Sequence, residues 1–405
     1  MFTRLPEEKV IRDPIHEYIH VEYQIIWDCI NACEFQRLRH IRQLGSAVMV
    51  YPTAEHSRFS HSLGAYEICR RLLKEVKGLQ VSSYDEVAVL LAALLHDLGH
   101  GPFSHSFEAI SRIHHEEMTK RLLLGPSEIF DILKKGDKDL PQAVAAIIDH
   151  SHANPLLTQL ISSQLDVDRM DYLLRDAYCT GTTYGDFDLE RIIRTLRTSD
   201  NKLVIKQSGM HAIEDYIMAR YHMYWQVYYH PVSRSYEILL SKLFERLFHN
   251  SRQDPFLVSR YPMFGWLFQK EEPSLKEFIK LQDAACLYGF GELCEDEDPI
   301  LRDLADRLLN RRLFGYQDYI NEQQQKQITK KVEAAGYDVR YYLATDSYSQ
   351  TPYTPYKESG ASVIWVLGND NKVHELSEVS LLVKAIIHGE VKQDHKIYYP
   401  KEVKP

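Results

Sequence analysis

The segment "ALLHDLGHGPFSHSFE", residues 93–108, decides how the whole chain is interpreted. It continues the apolar run "VAVLLAALL" of residues 87–95, which predicts a buried helix. Its remaining residues are rich in histidine, and Gly99 and Gly101-Pro102 break the helix there. Burying imidazole and carboxylate groups among leucines is unfavourable unless another group satisfies them. The segment therefore predicts a helix that ends at a buried polar site.

The bulk composition indicates a folded protein without a membrane span. The chain has 405 residues, which predicts a main domain plus a smaller one. A net charge of −9 disfavours general affinity for nucleic acid, so we regard nucleic acid as an unlikely partner. The apolar runs are too short to cross a bilayer, the N-terminus has no signal core, and the six cysteines form no CxxC pair. We expect a cytoplasmic protein with no membrane contact.

Apolar residues recur at spacings of three and four over most of the chain and predict a mainly α fold. The alternating segment 10–26 predicts a short N-terminal hairpin, and residues 26–45 predict one helix that ends at Gly45. A strand is predicted at 202–207. Further helices are predicted at 58–77, 84–96, 106–110, 115–124, 141–149, 155–163, 165–178, 188–195, 210–229, 232–248, 274–290 and 299–314.

The pattern changes near residue 315. A helix is predicted at 324–336, a strand at 337–347, two strands around the "GNDN" turn within 362–376, and a last helix at 381–389. These elements indicate a small α+β C-terminal lobe. The predicted units are a hairpin and helix at 1–50, a helical domain at 51–250, a helical extension at 251–314 and the lobe at 315–405.

Three predicted helices carry residues that could bind one metal ion. They supply two imidazoles and two carboxylates, at His61, His96, Asp97 and Asp168. Mixed nitrogen and oxygen donors suit Fe, Mn, Zn or Mg better than a closed structural zinc site. Taken singly, the His-Asp pair also fits a polar helix end, and Asp168 also fits an acidic solvated face. It is the combination that favours a metal site.

Five motifs in order carry a family resemblance: "RDPIHEYI", "FQRLRHIRQLG", "EHSRFSHSLG", "LLHDLGHGPFSH" and "DVDRMDYLLRDAYCTG". They resemble the HD-domain phosphohydrolases, and most closely the deoxynucleoside triphosphate triphosphohydrolase branch. That branch includes bacterial dGTPase-like enzymes and the HD domain of a mammalian dNTPase that also has a SAM domain. The resemblance covers about residues 5–250. It implies an HD-domain helical bundle that hydrolyses a dNTP to deoxynucleoside and inorganic triphosphate.

The resemblance also implies the catalytic residues. A divalent ion (Mn, Fe, Mg, Zn or Ni) would be held by His61, His96, Asp97 and Asp168. In this branch water attacks the α-phosphorus, and the leaving sugar oxygen O5′ needs a proton. His115 matches the general acid, with His100 nearby, and imidazole titrates near the working pH. Glu108 matches a carboxylate that orients the catalytic histidine, where many relatives have aspartate.

Substrate contacts follow from the same resemblance. The positions that match phosphate contacts are Arg58, His105, Arg169 and Arg220, and those that match sugar contacts are Gln43, Tyr172, Asp176 and Tyr228. Gln43 and Asp176 would bond the 3′-hydroxyl, and the two tyrosines would leave no room for a 2′-hydroxyl. Each arginine also fits a surface helix charge. The aromatic helix that holds Tyr228 also fits a core or a subunit interface.

The N-terminal motifs resemble an effector site between subunits. The implied ligand is a dGTP-type nucleotide, and the implied assembly is a homo-oligomer, namely a tetramer. Asn31 stands where some relatives use aspartate to read guanine. A hairpin that merely packs on the bundle is the alternative. The matching positions are Lys9, Val10, Arg12, Asn31, Gln36 and Arg39, with Arg191 and His230 facing the site from neighbouring subunits.

Other functions stay open at this point. An HD-type phosphodiesterase or guanosine tetraphosphate hydrolase would share the metal ligands but need not keep Gln43, Tyr172 and Asp176. A nucleotide-sensing assembly protein with a decayed site is disfavoured because the ligand set is complete. A nucleic-acid binder or nuclease is disfavoured by the net charge.

Overall fold

The structure is a computed structural model that describes residues 2–104, 108, 111, 113–254, 256–268, 273–349, 363–388 and 393–403. Its fold is mainly α, as the sequence predicts, with a two-stranded N-terminal hairpin and small sheets toward the C-terminus. The helix predicted at 106–110 falls largely outside the described residues. Among the described residues, no helix combines the length and the hydropathy that crossing a bilayer requires.

The helices of the first half match the predicted periodicity closely. Their apolar faces point inward, and Ser82, Ser127 and Asp166 accept hydrogen bonds from the first turns of the helices that they precede. The helices are α1 (Gln24–Asn31), α2 (Cys33–Arg37), α3 (Arg58–Glu75), α4 (Ser83–Leu95), α5 (His115–Leu124), α6 (Glu128–Gly136), α7 (Leu140–Ile148), α8 (Pro155–Ile161), α9 (Val167–Thr180) and α10 (Leu189–Thr195).

The second half continues with helices and short strands. The helices are α11 (Met210–Met223), α12 (Pro231–Ser251), α13 (Leu257–Arg260), α14 (Leu275–Phe278), α15 (Asp283–Leu293), α16 (Pro299–Leu309), α17 (Glu322–Ala334), α18 (Val339–Tyr342), α19 (Leu376–Val379) and α20 (Leu381–Ile387). The strands of the whole chain are β1 (Arg4–Asp13), β2 (Glu17–Tyr23), β3 (Leu196–Ser199), β4 (Lys202–Lys206), β5 (Gly315–Asp318), β6 (Ala344–Ser349), β7 (Trp365–Leu367), β8 (Val373–Glu375) and β9 (Gln393–Tyr399).

The single helix predicted over residues 26–45 is wrong. α1 ends before Ala32, whose ψ of 146° is extended, and α2 is followed by one 3-10 turn, Leu38–His40. The chain then runs beside the start of α3, where Arg58 N–H donates to Ile41 O and Gln43 N–H donates to His56 O. This irregular path brings Gln43 next to α3.

The buried Arg37 fixes the loop that follows α4. Its guanidinium donates to the carbonyl oxygens of Leu98 (3.3 Å), His100 (2.8 Å) and Leu281 (3.0 Å). A buried guanidinium requires such partners, because unpaired N–H groups in the interior are costly. The contacts tie α2 to the loop that carries the His-Asp motif.

Three predictions in the second half are wrong. The helix predicted at 274–290 is divided into α14 and α15, because the backbone is extended at Gln282, with φ −143° and ψ 158°. The helix predicted at 210–229 ends at Met223, and Tyr224–Tyr228 form a π-helical turn, a feature that is common at functional sites. The strand predicted at 337–347 begins instead with α18, because the Asp338 side chain accepts from Arg340 N–H and caps a helix. The two strands around "GNDN" are confirmed as the antiparallel pair β7 and β8.

The C-terminal strands belong to two different sheets. β7 pairs in parallel with β4, which gives the sheet order β3-β4-β7-β8, whereas β5, β9 and β6 form a separate antiparallel sheet. The buried side chains also form two clusters. Ile364 and Val366 pack in the cluster of the first helices, and Tyr236 of α12 packs in the cluster of the C-terminal strands. The predicted units, with boundaries at 50, 250 and 314, stay predictions, and the described strands after residue 314 contribute to both sheets and both clusters.

Candidate active site

Helices α3, α4 and α9 bring four candidate metal ligands together. His61 lies on α3, His96 and Asp97 follow the end of α4, and Asp168 lies in the first turn of α9. His61 Nε2 is 3.1 Å from Asp168 Oδ1 and 3.8 Å from Asp97 Oδ2. His96 Nε2 is 3.7 Å from the same Asp168 oxygen. His61, His96 and Asp168 therefore lie close enough together to share one ion, and Asp97 adjoins both histidines.

The imidazoles are oriented for metal binding. His61 Nδ1 bonds to Asp171 Oδ2 at 2.8 Å, and His96 Nδ1 donates to Ala93 O at 2.9 Å, so each ring presents Nε2 to the carboxylates. Both Nε2 atoms are buried, and neither has a hydrogen bond of acceptable geometry. A divalent ion would satisfy them, because it binds neutral imidazole and carboxylate together. The residues therefore fit the metal that the sequence predicts.

The pKa values show that this donor set favours positive charge. Burial alone would lower the pKa of His61, but the neighbouring carboxylates of Asp168 and Asp171 outweigh it and raise the pKa to about 10. Burial would likewise raise the pKa of Asp168, but the neighbouring imidazoles of His61 and His96 hold the pKa well below the ordinary value. The carboxylates thus stabilise positive charge among these side chains, which a bound cation would supply.

A buried network behind the ligands fixes His61. Asp171 accepts from His16 Nε2 at 2.7 Å and from Arg175 Nη2 at 2.9 Å, besides its bond to His61. Arg175 also donates to Asp13 Oδ2 of the N-terminal hairpin at 2.7 Å. Asp171 and Arg175 are 0% and 1% exposed, so every charge of the network depends on its partners. The motif "RDPIHEYI" supplies Asp13 and His16, a structural role that sequence reasoning missed.

A second polar cluster lies beside the metal ligands. His115 Nδ1 bonds to Glu108 Oε1 at 2.6 Å, and the His115 ring stacks on the His100 ring at 3.9 Å. His100 Nε2 is 3.3 Å from Asp97 Oδ1, which connects the cluster to the metal ligands. Burial, reinforced by the Arg58 charge, lowers the pKa of His100 well below its ordinary value. His100 is therefore neutral at neutral pH, and Glu108 reaches His115 in spite of replacing aspartate.

One cavity of about 790 Å³ joins these groups. Such a volume is typical of sites for nucleotide-sized ligands. The cavity includes residues of α12 and β6 that the sequence reasoning did not include. The predicted site residues that line it are Gln43, Arg58, His96, Asp97, His100, His115, Asp168, Tyr172, Asp176 and Tyr228.

Asp176 is the centre of the predicted sugar contacts. His56 Nε2 bonds to Asp176 Oδ1 at 2.7 Å, and Tyr228 OH donates to Asp176 Oδ2 at 2.8 Å. The side-chain oxygen Oε1 of Gln43 is buried without a hydrogen-bond partner. The Tyr172 and Tyr228 rings lie 6.2 Å apart at 72°. His56 was missed at the sequence level, although it stands only two residues before Arg58 in the same motif.

Arg58 is a buried cation on the cavity wall. It bonds to Asp97 and donates from Nη2 to Ser104 Oγ at 2.8 Å. Its remaining donor, Nε, is buried without a hydrogen-bond partner. A buried guanidinium with an unused N–H beside metal ligands suits an anionic oxygen.

Two other predicted phosphate contacts, Arg169 and Arg220, are bonded to protein side chains in this structure. Arg169 pairs with Asp166, and Arg220 Nη1 donates to Gln164 Oε1 at 2.8 Å. Neither arginine is among the described residues that line the cavity. His105 lies outside the described residues.

The predicted effector residues lie on the surface, away from the cavity lining. Arg39 Nε donates to Gln36 Oε1 at 2.8 Å, and its guanidinium stacks over the Phe59 ring at 3.5 Å. His230 accepts from Val232 N–H at the start of α12, and Arg191 donates to Ser208 O. Exposed or half-buried side chains are found at Lys9, Val10, Arg12, Asn31, Gln36, Arg39, Arg191 and His230.

A further acidic group has a structural explanation. Cys33, Glu34 and Glu128 lie close enough to share an ion. However, Glu128 accepts from Cys33 N–H and Glu34 accepts from Glu128 N–H, each at 2.8 Å. The two carboxylates thus cap the first amides of α2 and α6 reciprocally.

Comparison with known proteins agrees with this geometry. Residues 58–176 match the model of the HD domain, and residues 187–262 match that of the HD associated region. The uncharacterized Bacillus subtilis protein YwfO is 44% identical over 99% of this chain and 94% of its own length. A crystal structure of a phosphohydrolase from Bacteroides thetaiotaomicron is 29% identical, with a TM-score of 0.85 over 97% of this chain and 100% of that chain.

The chain belongs to the HD-domain phosphohydrolases. The matched HD region contains all four candidate metal ligands of this phosphohydrolase. The Dictyostelium discoideum deoxynucleoside triphosphate triphosphohydrolase SAMHD1 homolog is 30% identical over 79% of this chain and 62% of its own length. Mouse SAMHD1, which carries the same enzyme name, is 27% identical over 80% of this chain and 56% of its length.

The Asp171 network predicts a strict need for glycine at position 64. A Cβ atom there would lie 1.8 Å from Asp171 Oδ1 and 2.4 Å from Arg175 Nη2. Gly64→Ala should therefore lower the free energy of unfolding by roughly 3 kcal/mol or more, as measured by urea denaturation. Gly291→Ala is the matched control, because a Cβ at this helical glycine meets nothing within 4 Å. Equal effects of the two substitutions would contradict the close packing at Gly64.

The donor geometry predicts that Asp168 is needed for metal binding. Asp168→Ala should lose its divalent metal, measured by elemental analysis after dialysis, because the remaining ligands lose a shared carboxylate. The helical circular dichroism should be unchanged, since Asp168 lies at the rim of the fold with a side chain that is 34% exposed. Asp215→Ala, at an exposed carboxylate of α11, is the control. Full metal content in the Asp168 variant would exclude it as a ligand.

Proposed function

We propose that the protein is a metal-dependent dNTP triphosphohydrolase that releases deoxynucleoside and inorganic triphosphate. One observation carries the proposal: a single cavity is lined by three of the candidate metal ligands, His96, Asp97 and Asp168, and by the Gln43–Asp176–Tyr228 group. The metal ligands alone would suit any HD-type phosphodiesterase. The second group supplies the polar contacts that a deoxyribose requires.

The ligand residues would place metal chemistry at a phosphate. A divalent ion held by His61, His96, Asp97 and Asp168 would lower the pKa of a water molecule and polarise a phosphoryl oxygen. The buried Arg58 would contact the triphosphate through its unpartnered Nε–H. Arg169 and Arg220 would require a change of side-chain partner to do so, because Asp166 and Gln164 now hold them.

The sugar contacts support a deoxynucleotide. Asp176 is held by His56 and Tyr228, so its carboxylate is fixed where it would accept a bond from a 3′-hydroxyl. Gln43 would add a second contact by donating from its side-chain amide N–H to the oxygen of the same hydroxyl. Tyr172 and Tyr228 would occupy the space that a 2′-hydroxyl needs, so a ribonucleotide would clash and a deoxynucleotide would fit.

An effector nucleotide and a homotetramer remain part of the proposal. Lys9, Arg12 and Arg39 are exposed cations outside the cavity lining. Cations gathered at a subunit boundary repel one another unless an anion lies between them. A dGTP-type triphosphate would neutralise them and favour the assembled state by mass action.

His115 is proposed as the proton donor to the leaving O5′. It lines the cavity, and Glu108 orients it, whereas the low pKa of His100 leaves that ring without a proton to give. His115→Ala should reduce kcat by about a hundredfold or more with metal retained. His114→Ala, at the exposed neighbouring residue, should stay near the parent rate. Activity of the His115 variant within a few-fold of the parent would assign the proton to another donor.

Product analysis tests the function itself. The metal-loaded protein is incubated with each dNTP and with GTP, with and without a second nucleotide, and the products are separated. We expect inorganic triphosphate and deoxynucleoside from dNTPs and much slower hydrolysis of GTP. Pyrophosphate or orthophosphate as the product would refute the reaction, and equal hydrolysis of GTP would refute the tyrosine wall. A rate that never responds to the second nucleotide would remove the effector.

A further inference from the structure

One polar wall of the cavity contains none of the candidate metal ligands and none of the predicted sugar contacts. It is formed by α12 and β6. Ser233, Glu237 and Ser241 line it at spacings of four residues, which places them on one face of α12. Thr345 and Asp346 of β6 line it as well. The C-terminal sheet therefore contributes directly to the proposed substrate cavity.

Ser233 carries a polar group without a partner in this wall. The residue is 1% exposed, and its Oγ has no hydrogen-bond partner. A buried hydroxyl without a partner costs free energy, and its persistence in a cavity wall points to a ligand that bonds it. A hydroxyl can donate or accept, so it suits a carbonyl oxygen, a ring nitrogen or an amino group.

Glu237 lies one helical turn from Ser233 and is held in place. Ser46 Oγ donates to Glu237 Oε1 at 2.7 Å, and Arg234 bonds to Oε2. Arg234 is held in turn by Asp346, with Nη2 3.0 Å from Oδ2. A carboxylate offers about four acceptor positions, so it can bond a ligand while Ser46 and Arg234 hold it. Its side chain is 21% exposed, toward a cavity that is otherwise lined partly by aromatic rings.

The position of this wall follows from the sugar contacts. Gln43 and Ser46 lie on one short segment, and both line the cavity. Ser46 bonds Glu237, so the carboxylate adjoins the segment that would hold the 3′-hydroxyl. With the triphosphate at the metal ligands and the sugar at Gln43 and Asp176, the nucleobase is the part of the substrate left to meet α12 and β6.

We propose that Glu237 and Ser233 read the edge of the nucleobase, an inference that rests on the proposed dNTP substrate. A carboxylate matches two adjacent N–H donors, which guanine presents at N1 and N2. The hydroxyl of Ser233 adds a donor for a base carbonyl oxygen. Asp346 is a positioning residue that acts through Arg234. Guanine is thus the base that this wall selects.

The test compares the substrate preference of two variants on the same helix. The ratio of kcat/KM for dGTP to that for dTTP should fall roughly tenfold or more in Glu237→Gln, the size of one bidentate base contact. Glu245→Gln is the control, because Glu245 pairs with Lys242 and Arg340 rather than lining the cavity. Metal content should equal that of the parent in both. An unchanged ratio, or an equal loss for both substrates, would overturn the proposal.

The Ser233→Ala variant distinguishes a role of Ser233 in base recognition from a role in folding. Removing an unpartnered buried hydroxyl should leave the melting temperature unchanged or raised, while the preference for dGTP falls several-fold. A lower melting temperature with an unchanged dGTP-to-dTTP ratio would show a purely structural serine and contradict the proposal.

Binding gives a readout that does not depend on the reaction. dGTP and dTTP are titrated calorimetrically into Asp168→Ala and into Asp168→Ala with Glu237→Gln. A preference for dGTP that the second change removes supports base reading, even if product analysis excludes triphosphate release. Equal affinities for the two nucleotides in the Asp168→Ala protein would overturn it.

Discussion

The buried carboxylate of Asp171 is the constraint on which the rest of the structure depends. It accepts from His16, His61 and Arg175, and Arg175 bonds Asp13 in turn, so one network links the N-terminal hairpin, α3 and α9. Breaking a buried ion pair leaves an uncompensated charge, so each member requires the others. The network also turns the His61 ring so that Nε2 faces Asp168. Fold stability and ligand orientation thus have a common physical cause.

Much of this could be predicted from the sequence. The apolar periodicity gave the helices that carry the candidate ligands, because their hydrophobic faces are regular and long. The candidate ligands themselves could be chosen because His61 and Asp168 stand on helices with apolar faces and His96 and Asp97 directly follow one, where polar side chains need a partner. Helix geometry is regular, so the spacing of residues in the sequence indicates which side chains share a face. These residues were therefore the easiest part of the site to predict.

The irregular segments could not be predicted in this way. The break at Ala32 and the bridge that places Gln43 beside α3 depend on partners distant in sequence, such as Asp283, which accepts from Arg42 N–H. His56 gave no periodic signal, although it holds Asp176. The π-helical turn that carries Tyr228 looked like ordinary helix, because its apolar spacing continues that of α11. Residues outside regular helices therefore had to be located by the structure.

The cavity lies where two separately packed halves meet, and this explains why its walls differ. α3, α4 and α9 belong to the first hydrophobic cluster and supply the candidate metal ligands, whereas α12 and β9 belong to the second cluster and β6 packs against it. The residues of the first wall belong to a network of buried charges that pair with one another. A substitution there would leave a buried charge without its partner. The second wall is held by a hydrogen bond from Ser46 to Glu237 and by two ion pairs, which Arg234 makes with Glu237 and Asp346. Changes there need not disturb the Asp171 network. With the proposed substrate, this arrangement would let the accepted base change without rebuilding the site of phosphate chemistry.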